Sequence, residues 1–222
     1  MSQDLEELPL FPLNTVLFPY AQVQLHVFEE RYRQLVRDCL EFDNPFGIVL
    51  IRSGQEVGGA ADPYLVGTAA RILNVQTHDD GAMDIHVEGE RRFRIRRLES
   101  TKPYLVGRVE PVVELEFDDS PRADALLIKA RESFKELIEG LVSRQDFNVQ
   151  VQFQPDPVML SFVIANVLQL ENLQKQHLLE ITDTAERLST LMPMLERQAQ
   201  AAQKTVYYRL GSIELSEWIN PN

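Results

Sequence analysis

The chain has one cysteine, Cys39, among its 222 residues. No disulfide can close within it, so its stability must come from packing, as suits a reducing cytoplasm. No stretch approaches 18 uncharged apolar residues, so no helix is expected to span a membrane. The first residues, MSQDLEELPL, lack a basic segment followed by an apolar run, and no Sec-type leader is expected. No glycine is followed by lysine, so the phosphate-gripping lysine of a P-loop is missing and Walker-type ATP hydrolysis is excluded. The patterns G-x-G-x-x-G, G-x-S-x-G, H-E-x-x-H and C-x-x-C are absent too. The four histidines sit at spacings from which no serine–histidine–aspartate arrangement can be assembled.

What is present is an ordinary globular balance, 44% hydrophobic and 25% charged, with a net charge of -12. An acidic body repels phosphate backbones, which argues against general nucleic-acid binding. The first half reads as strands and the second as helices, an α+β arrangement. The apolar period changes near Phe117-Asp118-Asp119-Ser120-Pro121, which predicts a β domain over 1–119 and a helical bundle over 120–222.

Leu8-Pro9-Leu10-Phe11-Pro12-Leu13 alternates but carries two prolines, so this strand is expected at an edge or with breaks. Val23, Leu25 and Val27 alternate as in a half-buried strand. Tyr32, Leu35, Val36, Cys39 and Leu40 then form one helical stripe. Phe46 to Ile51 reads as a buried strand, and Tyr64 to Val75 as another extended stretch. A hairpin follows: the three-residue loop Asp79-Asp80-Gly81 pairs Val75 with Ile85, with glycine where the loop needs a left-handed residue. Leu73, Val75, Met83, Ile85 and Val87 are expected to face inward. A second turn is expected around Gly89, then a strand from Arg91 to Leu98 with Phe93 and Ile95 inside and Arg92, Arg94 and Arg96 outside. Tyr104 to Phe117 supplies one or two more. Six to eight short strands fit a small barrel or sandwich.

Beyond Pro121 the period is helical. Leu127, Ala130, Phe134, Leu137, Ile138 and Leu141 mark a long amphipathic helix. Asp156-Pro157 starts another, as N-cap and first-turn proline, with Val158, Phe162, Ala165 and Leu168 as its apolar residues. A short helix spans about Leu173 to Ile181. Ala185, Leu188, Leu191, Met192, Leu195 and Ala199 define the last, with a kink expected at Pro193. The tail from Val206 to Ile219, with its tyrosine pair and the only tryptophan, has no firm assignment.

Some residues could carry chemistry. Asp84, His86 and Glu88 share a strand face and could hold a metal; the ordinary reading is a solvated polar face complemented by the neighbouring arginines. Arg91, Arg92, Arg94, Arg96 and Arg97 form either an anion patch or compensation for nearby acids. Cys39 lies on an apolar stripe and reads as a structural thiol. His26 alternates toward solvent, and His177 falls within a short helix. Phe18, Tyr20, Phe28 and Tyr32 cluster around the first strand-to-helix turn, as core or as the lining of a groove for apolar peptide.

Residues Leu8 to Val36, LPLFPLNTVLFPYAQVQLHVFEERYRQLV, resemble the opening of the Lon N-terminal domain: L-P-L-F-P-L, then V-L-F-P, then L-x-[I/V]-F-E-x-R-Y. Phe46-Gly47-Ile48-Val49, Val66 to Ile72, Val87 to Ile95 and Tyr104 to Glu110 continue the likeness in order. So do Lys175 to Glu180 and Glu186-Arg187-Leu188, and the resemblance covers about residues 8–197. It implies a PUA-like pseudo-barrel of six to eight strands with one helix, followed by a helical bundle. It also implies a non-catalytic module that binds unfolded, misfolded or tagged protein and helps assemble an oligomer. Neither cofactor nor metal is expected. Phe18, Tyr20, Phe28 and Tyr32 are the candidate peptide-binding residues, and a protease or chaperone is the expected partner. The ATPase and serine–lysine protease domains of Lon have no counterpart here, so any peptidase label would rest on similarity alone. Tyr20 departs from the glycine the family often carries after F-P. A small-molecule or nucleic-acid-binding PUA-like domain, and a hydrolase, remain as alternatives.

Overall fold

The computed structural model describes residues 5–58, 61–118, 120–142 and 156–218. Its elements are β1 (Glu6–Leu13), β2 (Gln22–Val27), α1 (Glu30–Phe42), β3 (Phe46–Gly54), β4 (Ala61–Pro63), β5 (Val66–Thr77), β6 (Met83–Glu99), β7 (Leu105–Pro111), α2 (Pro121–Val142), α3 (Pro157–Val167), α4 (Asn172–Glu180) and α5 (Thr184–Trp218). The chain is α+β, with one mostly antiparallel seven-stranded sheet and five helices among the described residues. It forms two compact units, Met1–Glu114 with Gln169–Thr182, and Leu115–Leu168 with Asp183–Asn222.

The sheet closes through β1. The strands run β1-β7-β6-β5-β3-β4, and β1 also pairs with β3, completing a pseudo-barrel. Glu6 to Leu10 pairs antiparallel with β7, and Leu10 to Leu13 pairs parallel with β3. The strand therefore changes partner halfway, at Leu10. Each half has one neighbour, so one side of the backbone stays open, and Pro9 and Pro12 can occupy β1 without its full set of ladder hydrogen bonds. Leu8, Leu10, Val49, Ala69, Phe93, Ile95 and Val109 fill the interior.

The hairpin forms as its loop chemistry requires. Val75 faces Ile85, the His78 amide donates to the Ala82 carbonyl at 2.8 Å, and Gly81 holds φ at 82°. Leu73 departs from its expected inward position and is exposed. A register shift between Ile72 and Asn74 places an extra residue there, and one extra residue reverses the alternation. The expected turn at Gly89 is also absent, because β6 runs unbroken from Met83 to Glu99. Gly89 instead lets the Phe18-Pro19-Tyr20-Ala21 turn lie directly against the strand. Its amide donates to the Ala21 carbonyl at 2.9 Å, and its carbonyl accepts from the Tyr20 amide at 2.7 Å. A Cβ at position 89 would lie 2.4 Å from the Phe18 carbonyl oxygen.

Arg92 was expected at the surface and is 3% exposed. The returning segment with α4 covers that side of the sheet. The Arg92 guanidinium donates to the Leu179 and Ile181 carbonyls at 2.5 and 2.7 Å and pairs with Glu114. Gln176 donates to the Val66 carbonyl at 3.0 Å. The two Arg92 bonds satisfy carbonyls at the C-terminal end of α4, where helical partners run out.

In the second unit, α2 and α3 both pack against α5. The Asp156 side chain accepts from the Val158 amide at 2.8 Å and caps α3, with Pro157 at the first turn. Arg187, fully buried on α5, donates to Ser161 Oγ at 2.8 Å and Thr184 Oγ1 at 3.0 Å, and stacks 4.0 Å from the Phe162 ring centroid. α5 continues through Pro193 to Trp218. The side chains of Tyr207, Tyr208 and Trp218, and the placement of Asp119 and Ile219, lie outside the described residues.

Replacing Arg92 with Ala should destabilise the protein by about 3–5 kcal/mol, because two buried carbonyls and Glu114 lose their donor. Urea denaturation measures this. Gly89→Ala should cost about 1–3 kcal/mol by forcing the turn off the strand, read as a lowered Tm.

Candidate functional site

β2 delivers the site. Val23 and Leu25 are half-buried, Val27 is buried, and the intervening residues face solvent. The strand pairs with β6 alone among the described residues, leaving its other edge open. It ends at Val27-Phe28-Glu29, where α1 begins. Tyr32, Leu35, Val36 and Cys39 of α1 turn inward, while Leu40, expected on the same stripe, is exposed.

A shallow hollow opens at this corner, lined by Phe11, Leu13, His26, Val27, Phe28, Glu29, Tyr32, Glu56 and Val57. Its floor is an aromatic stack. The Phe11 and Tyr32 ring centroids lie 4.1 Å apart, and the Arg31 guanidinium lies 4.5 Å from the Tyr32 ring. Burial raises the Tyr32 phenol above its ordinary pKa, outweighing the opposing charge of Arg31. The rim is exposed and apolar: Phe28 is 51% and Val57 54% solvent-exposed.

Val57 is held in place despite its exposure. The Gly58 amide donates to Glu29 Oε2 at 3.1 Å, and Arg31 donates to the Glu56 carbonyl at 3.3 Å. Asn14 Nδ2 donates to the Glu56 carboxylate at 2.7 Å. The residues on both sides of Val57 are thus tied to the barrel and to α1. Glu29 is the N-cap of α1 but its side chain makes no capping hydrogen bond; the carboxylate serves Gly58 and Arg31 instead.

The four aromatic residues singled out in the sequence divide. Phe28 and Tyr32 line the hollow, as rim and floor. Phe18 is wholly buried. Tyr20 is 43% exposed at the second central position of a turn, with φ at 67°. Pro19 precedes it, and the Ala21 amide closes the turn on the Phe18 carbonyl at 3.2 Å, a type II arrangement. Tyr20 therefore adopts the left-handed conformation that glycine favours at this place. Neither Phe18 nor Tyr20 lines the hollow. Val57 had a faint signal, an apolar residue in an otherwise polar and glycine-rich loop.

The other constellations resolve as well. Glu88 pairs with Arg71, and His86 faces solvent. Asp84 is held by His26 and His78, whose hydrogen bonds keep its carboxyl below the ordinary range. Arg91 pairs with Glu6, Arg96 with Glu110 and Arg97 with Glu99. A wider cleft of about 360 Å³ in the second unit, with Arg122, Glu186 and Ser189 in its wall, has no aromatic lining.

Residues 7–197 match the family described as ATP-dependent protease La (LON) substrate-binding domain. The chain belongs to this family. It is 29% identical over 196 residues to the Lon protease of Anaeromyxobacter dehalogenans, covering 87% of this chain and 23% of that one. It is 30% identical over 196 residues to Lon protease 2 of Myxococcus xanthus, covering 87% and 24%. The chain thus spans about a quarter of these Lon relatives. The crystal structure of a Lon N-terminal domain protein from Xanthomonas campestris superposes with a TM-score of 0.63 at 30% identity, covering 85% of this chain and 98% of that one. The N-terminal domain of the Mycobacterium avium complex Lon protease gives 0.65 at 23% identity, covering 86% and 98%, a likeness of fold. No described helix is long and apolar enough to cross a membrane.

Cys39 is buried on α1, and loss of hydration pushes its thiol up to about 12. Native protein at pH 8 should therefore resist iodoacetamide and react once unfolded, as mass spectrometry would record.

Proposed function

We propose that this Lon-family domain is a non-catalytic module that recognises unfolded or apolar segments of protein substrates at the β2–α1 corner. The observation that carries the reading is the pairing of Phe28 and Val57, both more than half exposed, above a buried aromatic floor. Two apolar side chains kept in water at one place are a cost that an incoming apolar residue removes. The open edge of β2 leads straight into Phe28, so an extended peptide can pair with it while placing one side chain in the hollow. This mode needs no cofactor.

The reading extends to an adaptor in the cytoplasm that passes polypeptide to a protease or chaperone, and to self-association as a means of multiplying weak single contacts. Phosphate recognition by the arginine run has less behind it, since Arg91, Arg92, Arg96 and Arg97 already face carboxylates.

Phe28→Asp should weaken binding to an unfolded reporter protein by about tenfold or more, the equivalent of at least about 1.4 kcal/mol. As an exposed position, it should leave stability within about 0.5 kcal/mol of the parent. Fluorescence anisotropy with a thermal melt separates the two effects. N-methylation of alternate amides in a bound peptide should weaken it as well, because it removes the hydrogen bonds a sheet edge supplies. Equal affinity of the parent and the Phe28 variant would defeat the proposal.

A further inference from the structure

Three residues from separate parts of the first unit converge beside the hollow. His26 lies on β2 directly opposite Asp84 on β6. His78 closes the base of the β5–β6 hairpin, its amide bonded to the Ala82 carbonyl. His26 Nδ1 lies 2.7 Å from Asp84 Oδ1, and His78 Nε2 lies 2.8 Å from Asp84 Oδ2. The two nitrogens and a carboxylate oxygen all fall within 4.8 Å of one another.

We propose that His26, His78 and Asp84 form a binding site for a late first-row divalent metal ion, with Zn²⁺ as the typical occupant. Two imidazoles and one carboxylate suit such ions, whereas Mg²⁺ and Ca²⁺ prefer oxygen alone. With ligands at about 2.1 Å in a tetrahedral set, neighbouring donor atoms stand about 3.4 Å apart. With one Asp84 oxygen as ligand, the histidine contact to that oxygen would open by about 0.7 Å and the other imidazole would draw in toward the ion, which side-chain rotation can supply.

The protons balance without a further reactant. An imidazole ligates through an unprotonated nitrogen, so His26 would offer Nδ1 and His78 Nε2, each ring keeping one proton on its other nitrogen and passing any second proton to water. Water can carry this exchange, since the two side chains are 58% and 37% exposed. Three protein ligands leave coordination positions for water. The hairpin adds Asp79 and Asp80 beside His78 in sequence, on a chain of net charge -12, and this field favours a cation. The backbone needs no rearrangement, because the β2–β6 register and the hairpin loop already set the three positions.

The site does not depend on peptide binding in the hollow, although His26 borders both and its ring stacks 6.0 Å from that of Phe28. The test is calorimetric titration of the tag-free, full chain with Zn²⁺. One equivalent should bind saturably, undisturbed by excess Mg²⁺. His26→Gln and His78→Gln should each lower the affinity by at least about tenfold, a loss that even indirect partners of metal ligands can cause. His86→Gln should leave it unchanged. Nuclear magnetic resonance of the unsubstituted protein makes the assignment independent of variant folding. Of the four imidazoles, Zn²⁺ should shift those of His26 and His78 and leave His86 and His177 in place. No saturable uptake, undiminished affinity in both glutamine variants, or shifts at His86 or His177 instead would overturn the proposal.

Discussion

The first unit depends on one buried cation. Arg92 sits within a β-strand, on a side that would face water in an isolated barrel. Its guanidinium instead binds the carbonyls at the end of α4 and the carboxylate of Glu114. A charge this deep is tolerable only where every direction it faces holds an acceptor. The clamp therefore fixes where the chain must return. After leaving for α2 and α3, it comes back for residues 169–182, whose Gln176 adds a second tie to Val66. The two units are consequently interleaved along the sequence, because the helix-forming half contributes one helix to the strand-forming half.

The hollow is framed by partly exposed carboxylates that also find donors. Glu29 and Glu56 are near an apolar surface, and each finds donors that also position the backbone around Val57. An exposed apolar pair is thereby held by a polar frame, which combines access with fixed shape. The aromatic stack beneath provides a floor that does not collapse when the hollow is empty, since Phe11 and Tyr32 already fill each other's contacts.

Much of the architecture was legible in the sequence wherever neighbours in the chain decide the outcome. The Asp79-Asp80-Gly81 loop, the Asp156 cap and the inward face of α1 each rest on residues within a few positions of one another. Leu73 and Arg92 depart from the sequence reading for a common reason. Each depends on a partner that the chain reaches only by folding: the shifted register between β5 and β6, and the end of α4. The Asp84-His86-Glu88 run was the natural metal candidate along one strand. The structure draws Asp84 to two histidines from other segments, 58 and 6 residues away.

By itself, then, the sequence determined the α+β order, the hairpin, the helix starts and the likeness to the Lon recognition domain. It also determined that the chemistry of a P-loop is absent. Periodicity and turn chemistry are local, and a colinear set of motifs survives without knowledge of contacts. Tertiary structure alone decided which aromatic residues stay in water, which arginine is buried, and which side chains meet at Asp84. Those outcomes turn on solvent exclusion and on pairing between distant segments, and neither is a property of any single stretch of chain.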